Sequence, residues 1–277
     1  MTKEEADKED DMDKETSLPV LGFLGTGTIN SALVRAICRT DGPRCPIVVS
    51  PRSAERAAAL QAEFPEQVSI AASMQEVVDR ADIVFMAVLP KAVEEVYKSL
   101  SFPKDMHIVD LIPRVTEEQV RLWTGVTGEI DHIIPLAFVA DVPGPIIMYP
   151  ASSSLRPLLE RIGQVVALDD RRQVAAAQIL TCFEAPFFTL LDRFVDWGVG
   201  EGMDQESVCS FVTSMFRAMS DQVSRSDRAR LHELADEFTP GGYNWRAKES
   251  IDRGGGFDLW LDMADELMAE LSSGLGK

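Results

Sequence analysis

The strongest constraint on the fold is a regular alternation of short apolar runs and helical stretches from residue 20 to residue 134. The apolar runs lie at 20–24, 47–49, 68–70, 82–88, 107–111 and 131–134. The stretches between them have helical spacing or are rich in alanine. Such alternation is typical of βαβ units, and right-handed crossovers then give a doubly wound parallel sheet covered on both faces.

The pattern changes further along the chain. Residues 146–149 and 164–168 predict two more strands with a helix at 155–162 between them. From residue 169 onward only helices are predicted, at 171–197, 204–224, 226–237 and 258–271. The predicted fold class is therefore α/β, with a Rossmann-type domain at 18–168 and an all-helical domain at 169–277.

The charge balance limits the classes of partner. Lys and Arg number 27 against 45 Asp and Glu, a net charge of −18. This argues against nucleic-acid binding and against docking on anionic membranes.

Residues 1–17 carry acids and three lysines with almost nothing apolar, which predicts a disordered tail.

Cysteine and histidine usage favours a reducing, intracellular location. The four cysteines form no CxxC motif and the three histidines are far apart, so neither a disulfide framework nor a metal site is predicted. No signal peptide is visible, and the uncharged run 16–34 is broken by Pro19 and several glycines. We therefore expect no membrane segment and, by default, a cytoplasmic protein.

The first strand runs directly into Gly25-Thr26-Gly27-Thr28-Ile29, which opens a helix. In this context Gly25 allows a tight turn, Gly27 lets the backbone approach a phosphate, and the helix N-terminus attracts negative charge. Asn30 stands where a third glycine is usual. The pattern predicts a dinucleotide site, the alternative being a plain turn without ligand.

The turn after the second strand selects the type of dinucleotide. No acid follows Val49; instead Ser50, Arg52 and Ser53 suit the 2′-phosphate of NADP, with NAD as the alternative. Ser53 also suits a helix cap. Val88, Leu89 and Pro90 end the fourth strand at the same crevice, although Pro90 equally suits the start of a helix.

These motifs together resemble the pyrroline-5-carboxylate reductase family over about residues 20 to 270. The resemblance is carried by GFLGTGTINSAL at 22–33, SPRS at 50–53, ADIV at 81–84, AVLP at 87–90, Ile134-Pro135 and FTPGG at 238–242. It implies NAD(P)H-dependent reduction of a cyclic imine by a homodimer joined through its helical domains. It also implies a substrate site around Pro240, Gly241, Gly242, Tyr243 and Asn244.

The chain departs from the family in the part that faces the substrate. Tyr243-Asn244 replaces Thr-Thr, Leu136-Ala137 follows the Ile-Pro, and Cys182–Pro186 replaces a Gly-Ser-Gly-Pro-Ala segment. Leu89 replaces a lysine. An altered substrate is therefore an open alternative.

Two side chains are candidates for protonating the imine nitrogen. Tyr243 lies in the turn implied by the resemblance, or is an aromatic core residue. Glu184 lies among phenylalanines, where a carboxyl needs a cationic partner or a raised pKa, or else faces solvent. Arg114 and Arg246 are further candidate contacts for cofactor or substrate.

Two other functions remain open at this point. One is an NADP-linked oxidoreductase acting on a hydroxy acid, which would need Lys248 near the nicotinamide. The other is a binding protein that keeps NADPH but has lost catalysis.

Overall fold

Eight strands of the chain form a single sheet. The computed structural model describes residues 18–224 and 228–274, so the predicted acidic tail 1–17 lies outside the described residues. The strands are β1 (Leu21–Leu24), β2 (Ile47–Val49), β3 (Val68–Ile70), β4 (Ile83–Met86), β5 (His107–Asp110), β6 (Ile130–Pro135), β7 (Gly144–Tyr149) and β8 (Gly163–Ala167).

The order of the strands creates a crevice at the carboxyl end of β1. The sheet runs β3-β2-β1-β4-β5-β6-β7-β8, so the chain turns in one direction from β1 to β3 and in the other from β4 onward. Reversal points of this kind are where ligands bind in open α/β sheets.

Six strands are parallel, which confirms the predicted doubly wound α/β sheet. β7 is antiparallel to β6, and β8 then runs parallel to β7. Only residues 136–143 connect β6 to β7, with a short 3₁₀ helix at Ala137–Ala140. A parallel crossover needs a dozen or more residues, so this connection forces a reversal that the apolar pattern does not reveal.

Helices cover both faces of the sheet. They are α1 (Thr28–Arg39), α2 (Ala54–Glu63), α3 (Met74–Arg80), α4 (Val93–Ser99), α5 (Glu117–Thr124) and α6 (Arg156–Leu159). One apolar cluster includes Phe23, Leu33 and Leu60, and the other includes Leu24, Val77 and Tyr97. Because neighbouring residues of β1 enter opposite clusters, the strand is buried on both faces, as its continuous apolar sequence predicts.

The described residues form two compact units, one ending at Val174 and the other beginning at Ala175. The later helices are α7 (Arg171–Thr181), α8 (Glu184–Gly200), α9 (Gln205–Val223), α10 (Arg228–Asp236), α11 (Tyr243–Arg253) and α12 (Gly256–Gly274). No strand occurs in the described part of the second unit.

The helical pattern at 171–197 is two helices rather than one. Pro186 has no N–H to donate to the preceding turn, so it is accommodated in the first turn of α8 after a break at Cys182–Phe183. α11 is an additional helix that the apolar pattern misses, because none of its residues is buried.

The stretch Arg171–Gly200 is long and apolar enough to cross a membrane by length and composition alone, and 17% of its most apolar window is buried. The charges of Glu184, Asp192 and Arg193 within it would be costly in lipid. We therefore interpret its exposed apolar side chains as a surface for protein contact.

Candidate functional site

The crevice between β1 and β4 holds a groove of about 390 Å³, a size typical of small-molecule sites. It is lined by Gly25, Thr26, Gly27, Thr28, Ile29, Asn30, Arg52, Ser53, Ala87, Val88, Leu89 and Leu111. The groove thus brings together nine of the eleven residues predicted to bind cofactor. Ala87, Leu111 and Asn30 are additions. Ala87 and Leu111 directly follow β4 and β5, and their position after a predicted parallel strand is the sequence signal that could have located them.

The two glycines of the loop have different requirements. Gly25 has a φ of +88°, and a Cβ there would lie 2.5 Å from the carbonyl oxygen of Ala87. Gly27 has an ordinary φ of −70°, and a Cβ there would meet no protein atom within 4 Å. Gly25 is therefore required by the fold, whereas the space beside Gly27 is available to a ligand.

Ser50 holds the glycine loop rather than facing the groove. Its side chain is fully buried, and its hydroxyl oxygen accepts a hydrogen bond of 2.9 Å from the Gly25 N–H. This differs from the predicted contact with a cofactor phosphate, because burial behind the loop leaves the hydroxyl no access to the groove. Pro90, the other predicted residue outside the lining, is exposed and starts the 3₁₀ helix Pro90–Ala92.

Asn30 ties the loop to the end of β1. Its amide nitrogen donates to the carbonyl oxygens of Gly25 at 2.7 Å and Leu24 at 3.2 Å. Ser31 adds a weaker bond of 3.3 Å to the Thr26 carbonyl. The third position of the glycine motif usually serves close packing between helix and strand. In this chain a buried asparagine occupies it and satisfies two backbone acceptors.

We expect Asn30→Ala to lower the free energy of unfolding by about 1–3 kcal/mol, since it leaves the Gly25 carbonyl oxygen without its donor, while the Leu24 carbonyl keeps its hydrogen bond from the Ala87 N–H. Ser31→Ala, which removes only the longer bond, is the matched control and should cost less. Denaturant titration of the two variants measures the difference. Equal stability of Asn30→Ala and the wild type would show that the amide does not hold the loop.

The groove fits the phosphates of a dinucleotide. Gly27 precedes α1 without a side-chain cap, so N–H groups of the first turn are left for a ligand, and that turn contains no acid. The Thr26 hydroxyl is buried and has no partner among the described residues. Arg52 and Ser53 supply a cation and a hydroxyl at one wall, and the Arg52 side chain is exposed.

A buried cluster fixes the backbone beside Leu111. The Tyr97 hydroxyl donates to Asp110 Oδ1 at 2.9 Å, and Asp110 Oδ2 accepts from the Ile112 N–H at 3.1 Å. Burial, and then the neighbouring Asp110 carboxylate, hold the pKa of Tyr97 well above its usual value. The phenol therefore remains a proton donor to Asp110 at neutral pH and keeps the end of β5 in place.

Most of the predicted substrate residues lie in or beside the turn before α11. Gly241 has a φ of +80°, and Gly242 precedes α11 in an extended conformation. Tyr243 begins the helix with 89% of its surface exposed, so it is not the core residue that was its alternative interpretation. Gly241 and Tyr243 line a shallow hollow of about 590 Å³ with Arg246, while Pro240, Gly242 and Asn244 are not part of its lining.

The remaining candidate residues from the sequence are Glu184, Arg114 and Lys248. Glu184 is the first residue of α8 and is partly exposed. Arg114 is exposed, has a φ of +69°, and is not among the residues that line the groove. Lys248 forms an ion pair of 2.5 Å with Asp236, and this hydrogen bond raises the pKa of the lysine.

Comparison with known proteins agrees with this architecture. Residues 20–113 match the family described as NADP oxidoreductase coenzyme F420-dependent. A pyrroline-5-carboxylate reductase of Pseudomonas aeruginosa is 25% identical over 276 residues, which cover 94% of this chain and 100% of the relative.

Two solved structures share the fold over almost the whole chain. A 1-pyrroline-5-carboxylate reductase from Streptococcus pyogenes has a TM-score of 0.79 at 17% identity, covering 93% of this chain and 99% of the other. A Plasmodium falciparum pyrroline carboxylate reductase with NADP bound has a TM-score of 0.80 at 16% identity, covering 94% and 99%.

The fold and the glycine loop thus define an oxidoreductase of the NAD(P)-linked class, and the match to NADP oxidoreductases agrees with the predicted cofactor. Within that class the chain is similar, at 25% identity over 94% of its length, to a pyrroline-5-carboxylate reductase, in agreement with the resemblance seen in the sequence.

Proposed function

We propose that the protein reduces a cyclic imine with NADPH in a reaction of the pyrroline-5-carboxylate reductase type. The observation that carries the proposal is the glycine-loop groove, whose free helix N-terminus and exposed Arg52 fit a 2′-phosphorylated dinucleotide. The relationship to a pyrroline-5-carboxylate reductase over its full length supports the substrate class.

The cofactor residues have separate roles in this proposal. N–H groups at the start of α1, together with Thr26 and Thr28, bind the pyrophosphate, and Gly27 leaves room for it. Arg52 and Ser53 bind the 2′-phosphate. Val88, Leu89 and Leu111 give the groove an apolar wall, against which we place the reacting end of the cofactor. When bound, NADPH supplies the hydride that reduces the C=N bond.

We assign the substrate side to the turn Pro240–Asn244, with Tyr243 and Glu184 as candidate proton donors to the imine nitrogen. Their support is the family resemblance of the turn and, for Tyr243, a hydroxyl that no protein packing encloses. The imine nitrogen can also take its proton from water, in which case neither side chain is needed.

Tyr243→Phe removes only the hydroxyl and is expected to lower kcat by about 100-fold if this group donates the proton, with the KM for NADPH unchanged. Tyr149→Phe, which removes a hydroxyl elsewhere in the chain, is the matched control. Initial-rate kinetics also test Glu184→Gln in the same way. Full activity in both Tyr243→Phe and Glu184→Gln would leave water as the donor.

A hydroxy-acid dehydrogenase is less well supported. That chemistry requires a lysine beside the nicotinamide, and Lys248 instead forms a surface ion pair with Asp236. A protein that binds NADPH without catalysis is the remaining alternative, and turnover distinguishes it from a reductase.

We also propose that the protein is a homodimer or a larger homo-oligomer joined through its helical unit. Large apolar side chains are exposed on α8 and α9, including Phe188 at 53%, Trp197 at 68% and Phe211 at 60%. Such a patch marks a protein interface.

All four cysteines are free thiols, which supports a reducing compartment, and we propose the cytoplasm.

NADPH absorbance, followed with purified protein and pyrroline-5-carboxylate, tests the reaction, with NADH in parallel. Rapid NADPH oxidation is expected. If NADPH raises the melting temperature without being oxidised, other cyclic imines and 2-oxo acids should be assayed next. Oxidation with one of these would redefine the substrate, and no oxidation with any of them would identify a binding protein.

A further inference from the structure

A second group of polar residues lies at the edge of the sheet opposite the glycine loop. His107 is the first residue of β5, Asp131 is the second residue of β6, and Glu129 directly precedes β6. One ligand atom from each of these three residues lies within 4.8 Å of the other two. We call this set the His107 cluster.

Strand pairing brings the cluster together. β5 and β6 are parallel with Val109 opposite Asp131 and Ile108 opposite Ile130. The register continues to His107 beside Glu129, and residues two apart on a strand point to the same face. The strands therefore hold His107 and Asp131, and the backbone of Glu129 is fixed beside them by a hydrogen bond of 2.9 Å from the Ile108 N–H to its carbonyl oxygen.

The carboxylates are already oriented by two serines. The Ser153 hydroxyl donates to Asp131 Oδ2 at 2.6 Å, and the Ser154 hydroxyl donates to Glu129 Oε2 at 2.7 Å. Hydrogen bonds from an outer shell of this kind orient the ligands in protein metal sites.

The distances suit a small divalent ion. His107 Nε2 lies 2.7 Å from Asp131 Oδ2 and 3.9 Å from Glu129 Oε2. Ligands around tetrahedral zinc are about 3.4 Å apart, given metal–ligand bonds of about 2.0–2.2 Å. These two separations are within about 1 Å of that value, and the shorter one is a His–Asp hydrogen bond that the ion would replace. Glu129, with 54% of its side chain exposed, leaves an approach from solvent.

We propose that the His107 cluster binds a divalent transition-metal cation, with Zn²⁺ as the best match to one imidazole and two carboxylates. The two carboxylates and a neutral imidazole carry a charge of −2, which the cation neutralises. The ion ties together β5, β6 and the Ser153–Ser154 turn. Since these groups lie at the opposite edge of the sheet from the groove, the ion has no part in hydride transfer.

Calorimetric titration of the chelator-treated full-length protein with Zn²⁺ tests the proposal, with Co²⁺ as a spectroscopic substitute. We expect one ion per chain, a higher melting temperature, and visible Co²⁺ absorption of a low-symmetry site. Ser153→Ala should weaken binding by about 10- to 100-fold. Glu129→Gln and His107→Ala, which each remove a ligand, should weaken it further.

His132→Ala is the matched control. His132 also pairs with a carboxylate on these strands, with Nδ1 3.3 Å from Asp110 Oδ2, but no third ligand joins them among the described residues. This variant should bind the ion like the wild type. Because Glu129 is largely exposed, Glu129→Gln keeps the test valid even if His107→Ala fails to fold. No saturable binding, or equal binding in Glu129→Gln and the wild type, would overturn the proposal and leave an ordinary His–Asp pair.

Discussion

Gly27→Ala is expected to weaken NADPH binding by about 30-fold or more, equivalent to about 2 kcal/mol of steric overlap with the pyrophosphate. The backbone at Gly27 accepts alanine, and the added Cβ meets no protein atom within 4 Å. The free energy of unfolding should therefore stay within about 1 kcal/mol of the wild type. Fluorescence titration with NADPH and denaturant unfolding of the same sample measure both quantities.

Gly25→Ala is the contrasting variant. Its Cβ would lie 2.5 Å from the Ala87 carbonyl oxygen, at a φ of +88°. The free energy of unfolding of Gly25→Ala should fall by about 1–3 kcal/mol, and its affinity for NADPH should fall as well. If Gly27→Ala binds NADPH normally, the cofactor does not approach this loop and the assignment of the groove is wrong.

Arg52→Ala is expected to raise the Kd for NADPH by about 10- to 100-fold and to leave the Kd for NADH unchanged. A charged hydrogen bond contributes about 1.5–3 kcal/mol, and NADH lacks the 2′-phosphate that would receive it. The side chain is exposed, so its removal should not disturb the fold.

Arg44→Ala is the matched control for this experiment. Arg44 is also exposed, but it precedes β2 and does not line the groove. It should leave both Kd values unchanged. Parallel losses for NADPH and NADH in Arg52→Ala would mean that the arginine contacts a part common to both cofactors, and the choice of NADP would lose its support.

The parallel sheet and the glycine loop could be predicted because their signals are local. Leu21, Phe23 and Val49 belong to continuous apolar runs, and each is fully buried in the sheet. Nine groove residues could be predicted from the sequence because they follow β1, β2 and β4 closely in the chain. The antiparallel direction of β7 could not be predicted from the apolar pattern, since it depends on the short connection from β6.

The features that the sequence alone does not reveal depend on side-chain contacts that exist only in the folded chain. Ser50 looks like a phosphate ligand in sequence, but its hydroxyl binds the N–H of Gly25, which lies 25 residues away. Asn30 departs from the usual glycine pattern, and only its hydrogen bonds to Leu24 and Gly25 explain the departure. His107 and Asp131 are likewise 24 residues apart and meet only through strand pairing.

Transfer of label from deuterated NADPH to product tests the central claim most directly. The protein would be incubated with pyrroline-5-carboxylate and NADPH deuterated at the transferable position, and the product analysed by mass spectrometry. The account predicts proline one mass unit heavier, with the deuterium on the former imine carbon, and a much smaller yield with Gly27→Ala. Failure to form proline, or proline without deuterium at that carbon, would contradict it.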